Sequence, residues 1–489
     1  MLSIVATSAA SMFLLMCVTW PLLWKKRRIA AEASVGSLVV ACVFLITDIL
    51  RSGFTPVSGV LIVVIAVTTL LALRLLKGRQ PELFLRQSTR RNAVLIILAG
   101  IAMGSLYTFL PHISPWLLLC AGYFLLLCIV GALALQAMWG RRHFSYTLSK
   151  DERSHTELPT VTLAIPARNE THALTDCLVA ALKSDYPKLE IIVLDDCSYD
   201  QTPQLIRSFA HDGVRFIQGG VPEKHWVGKT HAYNRLLQES SGEYIVFIGA
   251  DTLLEPHTIS QLIQYSQHYS LDMLSVLPTY RGQAWWMYAL QPLRYFWHVA
   301  RPFSRDYAPV SSECWCIHRP TVQALGGFRG IKQQLVPEAT FAKRLLQAGR
   351  YRFLIANTSL RVSYSKKWSS LIETSIRLLY PQTKRRPLVV LLLAMMMSFA
   401  ALGPIVVVAI SSSFLVQAFS WAVIIAALAT YGVVLARSQQ QLWWVYVWFL
   451  PVVLLQEAVL LVVSMLKYEF GEVNWKGRNM CYPVLMQKK

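Results

Sequence analysis

Apolar stretches lie at both ends of this 489-residue chain, and a more polar segment separates them. Five apolar spans precede the polar segment, at about residues 2–24, 34–50, 55–76, 93–110 and 114–138, and three follow it, at 388–411, 414–436 and 442–466. Each span is close to the roughly 20 residues that a helix needs to cross a bilayer. The pattern therefore predicts a five-span block over residues 1–140 and a three-span block over residues 388–466.

Between the two blocks, residues 158–366 contain short β-branched runs that alternate with helical patterns. This alternation is what a parallel sheet with crossover helices requires. The predicted strands cover Val161–Pro166, Glu190–Leu194, Val214–Gln218 and Tyr244–Gly249. The predicted fold class is an α/β domain with a mostly parallel sheet, inserted between helical transmembrane blocks.

Two further stretches combine aromatic, apolar and basic residues without being apolar enough to span a bilayer. They cover Ala284–Pro302 and Trp368–Pro381. Indole and phenol rings favour the membrane interface and arginine side chains reach headgroups. We therefore predict interfacial amphipathic helices near 284–302 and within 368–387, with the aromatic rings as an anchor and access for an acceptor beside them.

Composition supports a membrane protein and indicates its orientation. Hydrophobic residues make up 54% of the chain, and 47 Lys and Arg against 27 Asp and Glu give a net charge of +20. Basic residues collect after the first, third and fifth spans, so the positive-inside rule places the N-terminus outside the cell membrane and the central domain in the cytosol. No helix-turn-helix, zinc-finger or RNA-binding signature accompanies the charge, which argues against a nucleic-acid partner.

The basic C-terminal tail, residues 467–489, gives two conflicting indications. Three complete crossings after the central domain would place the tail outside, whereas its charge favours the cytosol: Lys467, Lys476, Arg478, Lys488 and Lys489. Pro451 and Glu457 interrupt the last span and favour a broken or re-entrant helix over a simple crossing. Both locations of the tail stay open at this point.

Polar residues collect where the predicted strands end. Asp195 and Asp196 follow one strand, Asp251 follows another, and Lys229 comes directly after Gly228 at the start of a helix. Ligands of open α/β sheets bind beyond the carboxyl ends of the strands, and a helix N-terminus with a lysine suits a diphosphate. The alternative interpretation is an ordinary Asx-rich turn that caps the next helix, with Lys229 as a solvated surface charge. The sequence contains neither a dinucleotide fingerprint nor a P-loop.

Six motifs in the central domain and the tail point to one family. They are Ile165-Pro166-Ala167-Arg168-Asn169-Glu170, Val193-Leu194-Asp195-Asp196-Cys197-Ser198, Trp226-x-Gly228-Lys229-x-x-Ala232-x-Asn234, Gly249-Ala250-Asp251-Thr252, Gly326-Gly327-Phe328 and Trp475-Lys476-Gly477-Arg478. With these motifs the domain resembles the GT-A domain of the family 2 inverting glycosyltransferases. The Trp-x-Gly-Lys and Trp-Lys-Gly-Arg motifs are similar to those of the membrane branch that glycosylates lipids, which includes ceramide, carotenoid and hopanoid-associated enzymes.

The resemblance implies a role for each matching residue. The nucleoside of a nucleotide sugar, a UDP-sugar above all, would lie among Pro166, Arg168, Glu170, Asp195 and Asp196. Lys229 would lie near the uracil or the phosphates, with Trp226 and Asn234 in the same binding motif. Asp251 would hold Mg²⁺ or Mn²⁺ against the diphosphate. Trp475 and Arg478 of the tail would lie on the acceptor side, and the implied partners are a lipid acceptor and membrane lipids.

Three positions depart from the family pattern. Gly249 replaces the first acid of the Asp-x-Asp metal motif, Ala339 replaces the usual general base, and only Arg377 is kept of the Gln-x-x-Arg-Trp motif. We therefore assign the general base to the neighbouring Glu338 and a catalytic role to Arg377. The alternatives are a helix N-terminal acid for Glu338 and a headgroup contact for Arg377.

The leading hypothesis is an enzyme that transfers a sugar from a nucleotide-sugar donor to a lipid hydroxyl group, with inversion, at the cytosolic membrane face. A catalytically impaired pseudo-glycosyltransferase that binds or regulates is the alternative, and Gly249 and Ala339 support it. A transporter or polymer-exporting synthase is disfavoured because the apolar spans contain few polar residues that would line a channel.

Overall fold

The computed structural model describes residues 158–300, 308–438 and 442–481, together with isolated positions between 41 and 66. The chain forms two compact units, of which the larger comprises residues 126–382, 394–464 and 472–489. The smaller comprises residues 1–125, 383–393 and 465–471, and its described positions include Ala41, Leu45 and Ile65, which pack together. Apart from such isolated positions, the predicted five-span block lies outside the described residues, as does the side of the membrane on which the N-terminus lies.

Twelve strands occur among the described residues. They are β1 (Val161–Ala167), β2 (Leu189–Asp195), β3 (Val214–Gln218), β4 (Tyr244–Ile248), β5 (Thr252–Leu254), β6 (Met273–Leu277), β7 (Thr279–Tyr280), β8 (Cys314–His318), β9 (Tyr351–Ile355), β10 (Val362–Tyr364), β11 (Asn474–Trp475) and β12 (Arg478–Asn479). Seven of them form the main sheet, in the order β3-β2-β1-β4-β8-β6-β9. Neighbouring strands in this sheet are parallel, except that β8 runs antiparallel to both β4 and β6. The predicted fold class, an α/β domain with a mostly parallel sheet, is confirmed.

Helices flank the sheet and continue into apolar segments. They are α1 (Thr171–Leu182), α2 (Thr202–Ser208), α3 (Gly228–Glu239), α4 (Thr258–His268), α5 (Trp285–Ala289), α6 (Phe296–Ala300), α7 (Arg319–Ala324), α8 (Glu338–Gln347), α9 (Trp368–Gln382), α10 (Pro387–Ile410), α11 (Phe414–Arg437), α12 (Trp443–Tyr446) and α13 (Leu450–Glu469).

The alternating side chains of β1 show why the sheet is buried on both faces. Leu163 and Ile165 belong to one hydrophobic cluster, which includes Leu178 of α1. Ala164 belongs to a second cluster, which includes Leu236 of α3. Successive residues of a strand point to opposite faces, and a strand covered on both faces is apolar throughout. The two clusters fix the sheet so that the polar residues at its strand ends keep their positions.

A second sheet of three strands, in the order β5-β10-β7, begins directly after Asp251. β10 pairs antiparallel with β5 and parallel with β7. The backbone N–H of Ser365 continues this pairing and donates to the Asp251 carbonyl at 3.1 Å. The small sheet therefore carries Lys366, the next residue, to the place where β4 of the main sheet ends.

The aromatic segment near 284–302 is not the single helix that the sequence predicts. It contains α5 and α6, separated by Pro292 and a 3₁₀ turn at Leu293–Tyr295, and residues 301–302 lie outside the described part. Proline has no N–H to donate and cannot continue a helix from its preceding turn, so the chain changes direction there. The second predicted interfacial segment is continuous, and α9 covers Trp368–Gln382.

Among the residues that the structure describes, three helical stretches are long and apolar enough to cross a membrane: Pro387–Ile410, Phe414–Arg437 and Trp443–Glu469. The last of them keeps polar contacts with the domain. The Gln456 side-chain amide donates to the Leu290 carbonyl at 2.9 Å, and Glu457 Oε2 accepts from the backbone N–H of Leu293 at 3.2 Å. Nearer the other end of α13, the Ser464 hydroxyl accepts from the N–H of Tyr380 at 3.0 Å.

After α13, the tail turns back and packs on the α/β domain. β11 and β12 form a two-stranded hairpin, and Arg478 of this hairpin reaches Asp196 at the end of β2. The hairpin of residues 474–479 therefore contacts the domain. The side of the membrane on which the tail lies stays a prediction.

Candidate active site

A cavity opens where β1, β2 and β4 end, and it holds about 960 Å³ of space counted out to its mouth. Its charged lining is balanced, with five acidic and five basic side chains: Glu170, Asp196, Asp251, Glu313, Glu373, Arg168, Lys229, Lys366, Arg377 and Lys476. The polar groups at the strand ends thus converge, as the rule for open α/β sheets predicts.

The structure divides the predicted site residues into two groups. Eight of them line the cavity: Pro166, Arg168, Glu170, Asp196, Lys229, Asp251, Arg377 and Trp475. Five do not line it: Asp195, Trp226, Asn234, Glu338 and Arg478. Most members of the second group hold a lining residue or a turn in place.

Asp195 and Asp196, which are adjacent in sequence, have different roles in the structure. Both carboxylate oxygens of Asp195 accept from the backbone N–H of Ser198, at 3.3 Å, so this residue stabilises the turn after β2. Asp196 lines the cavity, and its Oδ2 accepts from Arg478 at 2.6 Å. Its Oδ1 is buried and has no hydrogen-bond partner among the described residues. The turn-forming interpretation therefore fits Asp195, and a ligand-binding one fits Asp196.

Arg168 fixes the loop after β1 against the loop after β2. Its guanidinium is buried and donates to the carbonyls of Asp196 and Cys197, and its Nε donates to the Lys476 carbonyl at 3.1 Å. Burial raises the pKa of Asp196, while Arg478 and Arg168 oppose that rise. A negative charge at Asp196 therefore depends on cations from two distant parts of the chain.

The Trp-Lys-Gly-Arg motif is a tight hairpin that closes one side of the cavity. Lys476 and Gly477 are its two turn residues, with φ of +45° and +78°, the signs that a type I′ turn requires at both positions. A Cβ at Gly477 would lie 2.9 Å from the Tyr199 ring, and its positive φ is one that other residues rarely adopt, so glycine is favoured here. The turn directs Trp475 and Lys476 into the cavity and Arg478 toward Asp196.

Lys476 is held tightly for a lysine. Its ammonium donates to the Glu170 carboxylate and to the Arg168 carbonyl. Burial lowers the pKa of Lys476 from its ordinary value of 10.5, while Glu170 opposes the shift. The neighbouring Trp475 ring stacks on Arg377, with the guanidinium carbon 4.8 Å from the ring centroid. The tail thus joins α9 to the strand-end loops.

The Trp-x-Gly-Lys motif starts α3 and sets Lys229 at the cavity wall. A Cβ at Gly228 would lie 2.8 Å from Arg478 Nη1, so glycine here leaves room for the tail. Trp226 is buried and meets His231 edge-on at 5.6 Å between ring centroids, which makes it a packing residue. Asn234, also on α3, is half-buried outside the cavity.

Glu338 is completely buried at the start of α8. One carboxylate oxygen, Oε1, accepts from the Ser312 hydroxyl and lies 3.7 Å from the Lys229 ammonium. Ser312 and Lys229 line the cavity, whereas Glu338 does not. The assignment of Glu338 as the general base stays a prediction, and the structure places it behind residues that line the site.

Asp251, Glu313 and Lys366 form a cluster that the family pattern does not contain. Lys366 Nζ lies 3.1 Å from Asp251 Oδ2 and 3.6 Å from Glu313 Oε1. Burial raises the pKa of Asp251; Lys366 lowers it and Glu313 raises it further. All three side chains line the cavity at the end of β4.

This cluster bears on the divalent cation that the resemblance implies. Within the part of the chain that the structure describes, no group of three or more His, Cys, Asp or Glu side chains is gathered to hold a metal ion. A bound diphosphate would supply further oxygen ligands, so a small number of protein ligands does not exclude a cation. The position of Lys366 matters more, because its ammonium lies against the Asp251 oxygen that would bind the cation. Asp251 would share a divalent cation with the oxygens of a diphosphate, and the metal assignment stays a prediction.

Sequence reasoning missed four charged residues of the cavity, and three of them gave no local signal. Glu313 precedes β8 and Lys366 follows β10, and neither strand was predicted; Glu373 lies on α9 beside the degraded arginine motif. Lys476 was inside a quoted motif, where its position between Trp475 and Gly477 could have indicated a hairpin turn.

A second, mostly apolar cavity of about 500 Å³, counted out to its open side, lies between the aromatic segment and α11. Residues on its wall include Leu293, Tyr295, Phe296, Tyr431, Val434 and Leu435. The Tyr295 hydroxyl donates to Glu313 Oε1 at 3.4 Å, and Glu313 lines the charged cavity. One wall residue of each cavity therefore contacts a wall residue of the other at this point.

Comparison with known proteins identifies the family. Residues 162–317 match the model of glycosyl transferase family 2, and residues 298–484 match the model of glycosyl transferase family 21. The central domain belongs to the family 2 glycosyltransferases. Its resemblance to that family is confirmed, and its mostly parallel sheet is the GT-A sheet. The narrower lipid-glycosylating branch stays a prediction for this glycosyltransferase domain.

Two curated relatives and one solved structure illustrate the range of similarity. Poly-beta-1,6-N-acetyl-D-glucosamine synthase of Staphylococcus epidermidis is 25% identical over 38% of this chain and 44% of its own length. The probable glycosyltransferase YdaM of Bacillus subtilis is 31% identical over 29% of this chain and 36% of its own length. The mannosyltransferase PcManGT of Pyrobaculum calidifontis, solved with GDP-Man and Mn²⁺, is 18% identical over 71% of this chain and 98% of that one, with a TM-score of 0.43. The chain thus covers less than half the length of these two curated relatives.

Proposed function

We propose that this protein transfers a sugar from a nucleotide-sugar donor, a UDP-sugar in particular, to the hydroxyl group of a lipid at the cytosolic face of the cell membrane. The observation that carries the proposal is the pair of adjoining cavities. One is lined by charged strand-end residues and the other by apolar and aromatic residues against α11, and Tyr295 and Glu313 meet between them. A polar donor and an apolar acceptor would then meet at this contact.

The charged cavity suits a nucleoside diphosphate. Asp196 Oδ1, buried on its wall without a partner among the described residues, would accept from a base N–H or a ribose hydroxyl. Lys229, Arg377 and Lys476 bring positive charge to the same cavity. Hydrogen bonds between cations and phosphate oxygens are among the strongest in proteins, so these side chains would hold the diphosphate.

The apolar cavity suits the lipid part of an acceptor. It lies between α6 and the end of α11, a helix long and apolar enough to cross a membrane. Burial of apolar surface stabilises a bound chain by roughly 0.8 kcal/mol for each methylene group. An acceptor held there by its chain would present its hydroxyl group beside Tyr295 and Glu313.

We assign the general base of this reaction to Glu313, in place of Glu338, because Glu313 lines the charged cavity and accepts a hydrogen bond from Tyr295, which lines the apolar one. The carboxylate would take the proton of the acceptor hydroxyl while the acceptor oxygen bonds to the anomeric carbon. The bond from that carbon to the diphosphate breaks, and the nucleoside diphosphate leaves with the electron pair. Attack from the side opposite the leaving group inverts the anomeric centre. Glu338 would not touch the substrate and would instead hold Ser312 and Lys229 in position.

The test is an assay of UDP release and of lipid-linked sugar, with purified protein in nanodiscs, a panel of UDP-sugars and a membrane lipid extract. We expect lipid-stimulated release that Glu313→Gln reduces by at least about 100-fold, in the range typical of a lost general base. Glu223→Gln, a change at an exposed residue outside the cavity, serves as the matched control. UDP binding without release of UDP from any donor would instead support a pseudo-glycosyltransferase. Gly249 and Ala339, which replace acids of the family pattern, favour that alternative.

A second candidate function comes from the relatives. Besides the glucosamine polymer synthase, they include the poly(ribitol-phosphate) beta-N-acetylglucosaminyltransferase TarS of Staphylococcus aureus, 25% identical over 23% of this chain and 20% of its own length. Transfer of N-acetylglucosamine to a polymer would give a product of high mass that organic solvent does not extract. A single glycolipid in the organic phase would favour the lipid acceptor.

A further inference from the structure

We propose that the Lys366 ammonium, rather than a divalent cation, supplies the positive charge that binds the donor diphosphate at the end of β4. This inference rests on the proposed function, because it assumes that a nucleoside diphosphate enters the cavity. It assigns to Lys366 a role that the family motif gives to a metal on paired acids. The ligand class is the diphosphate of a nucleotide sugar.

The first support is the position of the ammonium. Lys366 Nζ lies 3.1 Å from Asp251 Oδ2 and 3.6 Å from Glu313 Oε1, and both carboxylates are less than 10% exposed. A buried carboxylate needs a compensating charge, which a metal ion provides in many sites. Here a residue of the chain provides it, so the two acids are already compensated in part.

The second support is the space around Gly249. A Cβ at this position would lie 2.8 Å from Asp251 Oδ1 and 2.8 Å from Glu313 Oε2, closer than carbon and oxygen atoms approach in proteins. A side chain at residue 249 would therefore push the ends of these two acidic side chains away from their positions. In the structure Glu313, which directly precedes the neighbouring strand β8, brings a second acidic charge to this place beside Asp251.

The backbone fixes all three members of the cluster. The Gly249 N–H and the Thr252 hydroxyl both donate to the Glu313 carbonyl at 3.0 Å. On the other side, the Ser365 N–H donates to the Asp251 carbonyl, and the Tyr280 hydroxyl donates to the Lys366 carbonyl at 3.2 Å. The flexible part is the lysine side chain, which can turn from the carboxylates to a phosphate oxygen while its backbone stays in place.

The lining of the cavity provides several cations beside Lys366, namely Lys229, Arg377 and Lys476. When the bond to the anomeric carbon breaks, negative charge grows on the leaving diphosphate oxygen. Lys366 would stabilise that oxygen by a charge-assisted hydrogen bond and keep its own proton throughout the step.

The deciding experiment measures UDP affinity by calorimetry on the full chain in nanodiscs, once in excess EDTA and once in Mn²⁺. Wild-type protein should bind UDP in EDTA with an affinity within about threefold of that in Mn²⁺. Lys366→Met should lower the affinity in EDTA by about 10- to 100-fold, the effect expected for loss of a hydrogen bond to a charged group. Lys367→Met removes the same charge from an exposed neighbour and should leave the affinity unchanged.

Three outcomes would overturn the inference. Wild-type affinity that disappears in EDTA and returns with Mn²⁺ would make the divalent cation essential, and the proposed function would stand. Lys366→Met with wild-type affinity in EDTA would remove the lysine from the diphosphate site, again with the proposed function intact. No UDP binding by the wild type in either buffer would end both proposals together. If Lys366→Met does not fold, Lys366→Arg and the wild-type EDTA comparison decide, because arginine keeps the charge.

Discussion

Arg478→Ala is the most informative perturbation, because it separates the tail from the α/β domain at one contact. Arg478 Nη1 donates to Asp196 Oδ2 at 2.6 Å, and Nη2 donates to the Asp196 carbonyl at 3.3 Å. The Arg478 side chain is 19% exposed and that of Asp196 is 5% exposed. Removal of one partner of a buried ion pair costs about 3–5 kcal/mol. Water reaches Arg478 and Arg168 stays near the carboxylate, so we expect a loss of about 2–3 kcal/mol.

The pH dependence of that loss distinguishes the ion pair from simple packing. Burial raises the pKa of Asp196 and Arg478 opposes the rise, so the variant's pKa should be higher still. At pH values above the raised pKa the carboxylate is ionised and lacks its partner in the variant, so the loss is largest there. As the pH falls through the raised pKa, a protonated Asp196 no longer needs a cation and the difference from wild type should shrink.

Two measurements test this expectation in nanodiscs: the thermal unfolding midpoint between pH 5 and 8, and the Kd for UDP. Detachment of the hairpin also removes Lys476 and Trp475 from the cavity wall, so UDP affinity should fall by about 10- to 100-fold. Arg329→Ala, at an exposed residue of a 3₁₀ turn, is the control. An Arg478→Ala protein with unchanged midpoint and Kd would refute the placement of the tail against the domain.

Three further changes test other parts of the site. Gly249→Asp should weaken UDP binding by at least about 10-fold and create no Mn²⁺ dependence, because its side chain meets two carboxylates; stronger binding in Mn²⁺ would contradict this. UDP affinity should fall as the pH rises, and the fall should begin below pH 10.5, because the pKa of Lys476 is lowered from that value. Lys476→Arg should keep its UDP affinity over the same pH range, because arginine stays charged. Val434→Trp fills the apolar cavity and should raise the KM for lipid by about 10-fold without changing the Kd for UDP; equal effects on both would contradict separate subsites.

The strand ends could be predicted from the sequence because their signal is local. Asp196 and Asp251 follow apolar β-branched runs, and parallel strands bring such ends to one edge of a sheet. Sequence alone could not separate Asp195 from Asp196, because adjacent residues at a strand end differ only in the direction of their side chains. In the structure, the Asp195 side chain accepts a hydrogen bond within the turn, and the Asp196 side chain lines the cavity.

The cluster at the end of β4 depends on pairings that local patterns do not contain. Glu313 reaches Asp251 because β8 pairs antiparallel with β4, and Lys366 arrives through β10 of the second sheet. Both contacts join residues more than 50 positions apart, and neither strand was predicted. In the sequence, Gly249 is the position where the metal motif lacks its first acid. In the structure, the ends of the Glu313 and Asp251 side chains lie next to Gly249.

The last apolar segment shows why span counting left the tail unresolved. By length and hydropathy, α13 resembles a helix that crosses a membrane. Its few polar side chains also form hydrogen bonds with the α/β domain and the segments next to it. Glu457 and Ser464 both bond to backbone groups of the domain-side segments. If α13 moved away into lipid, these polar groups would lose their hydrogen-bond partners. The contacts therefore favour a position of α13 next to these segments.

The hairpin of residues 474–479 also sets an order of events during synthesis. The strands and helices of the sheet leave the ribosome first, while Trp475, Lys476 and Arg478 follow only after the last apolar helix. A nascent chain that has folded its sheet still lacks one wall of the charged cavity and the Arg478 guanidinium that pairs with Asp196. The cavity is therefore complete only after the last apolar helix has been synthesised.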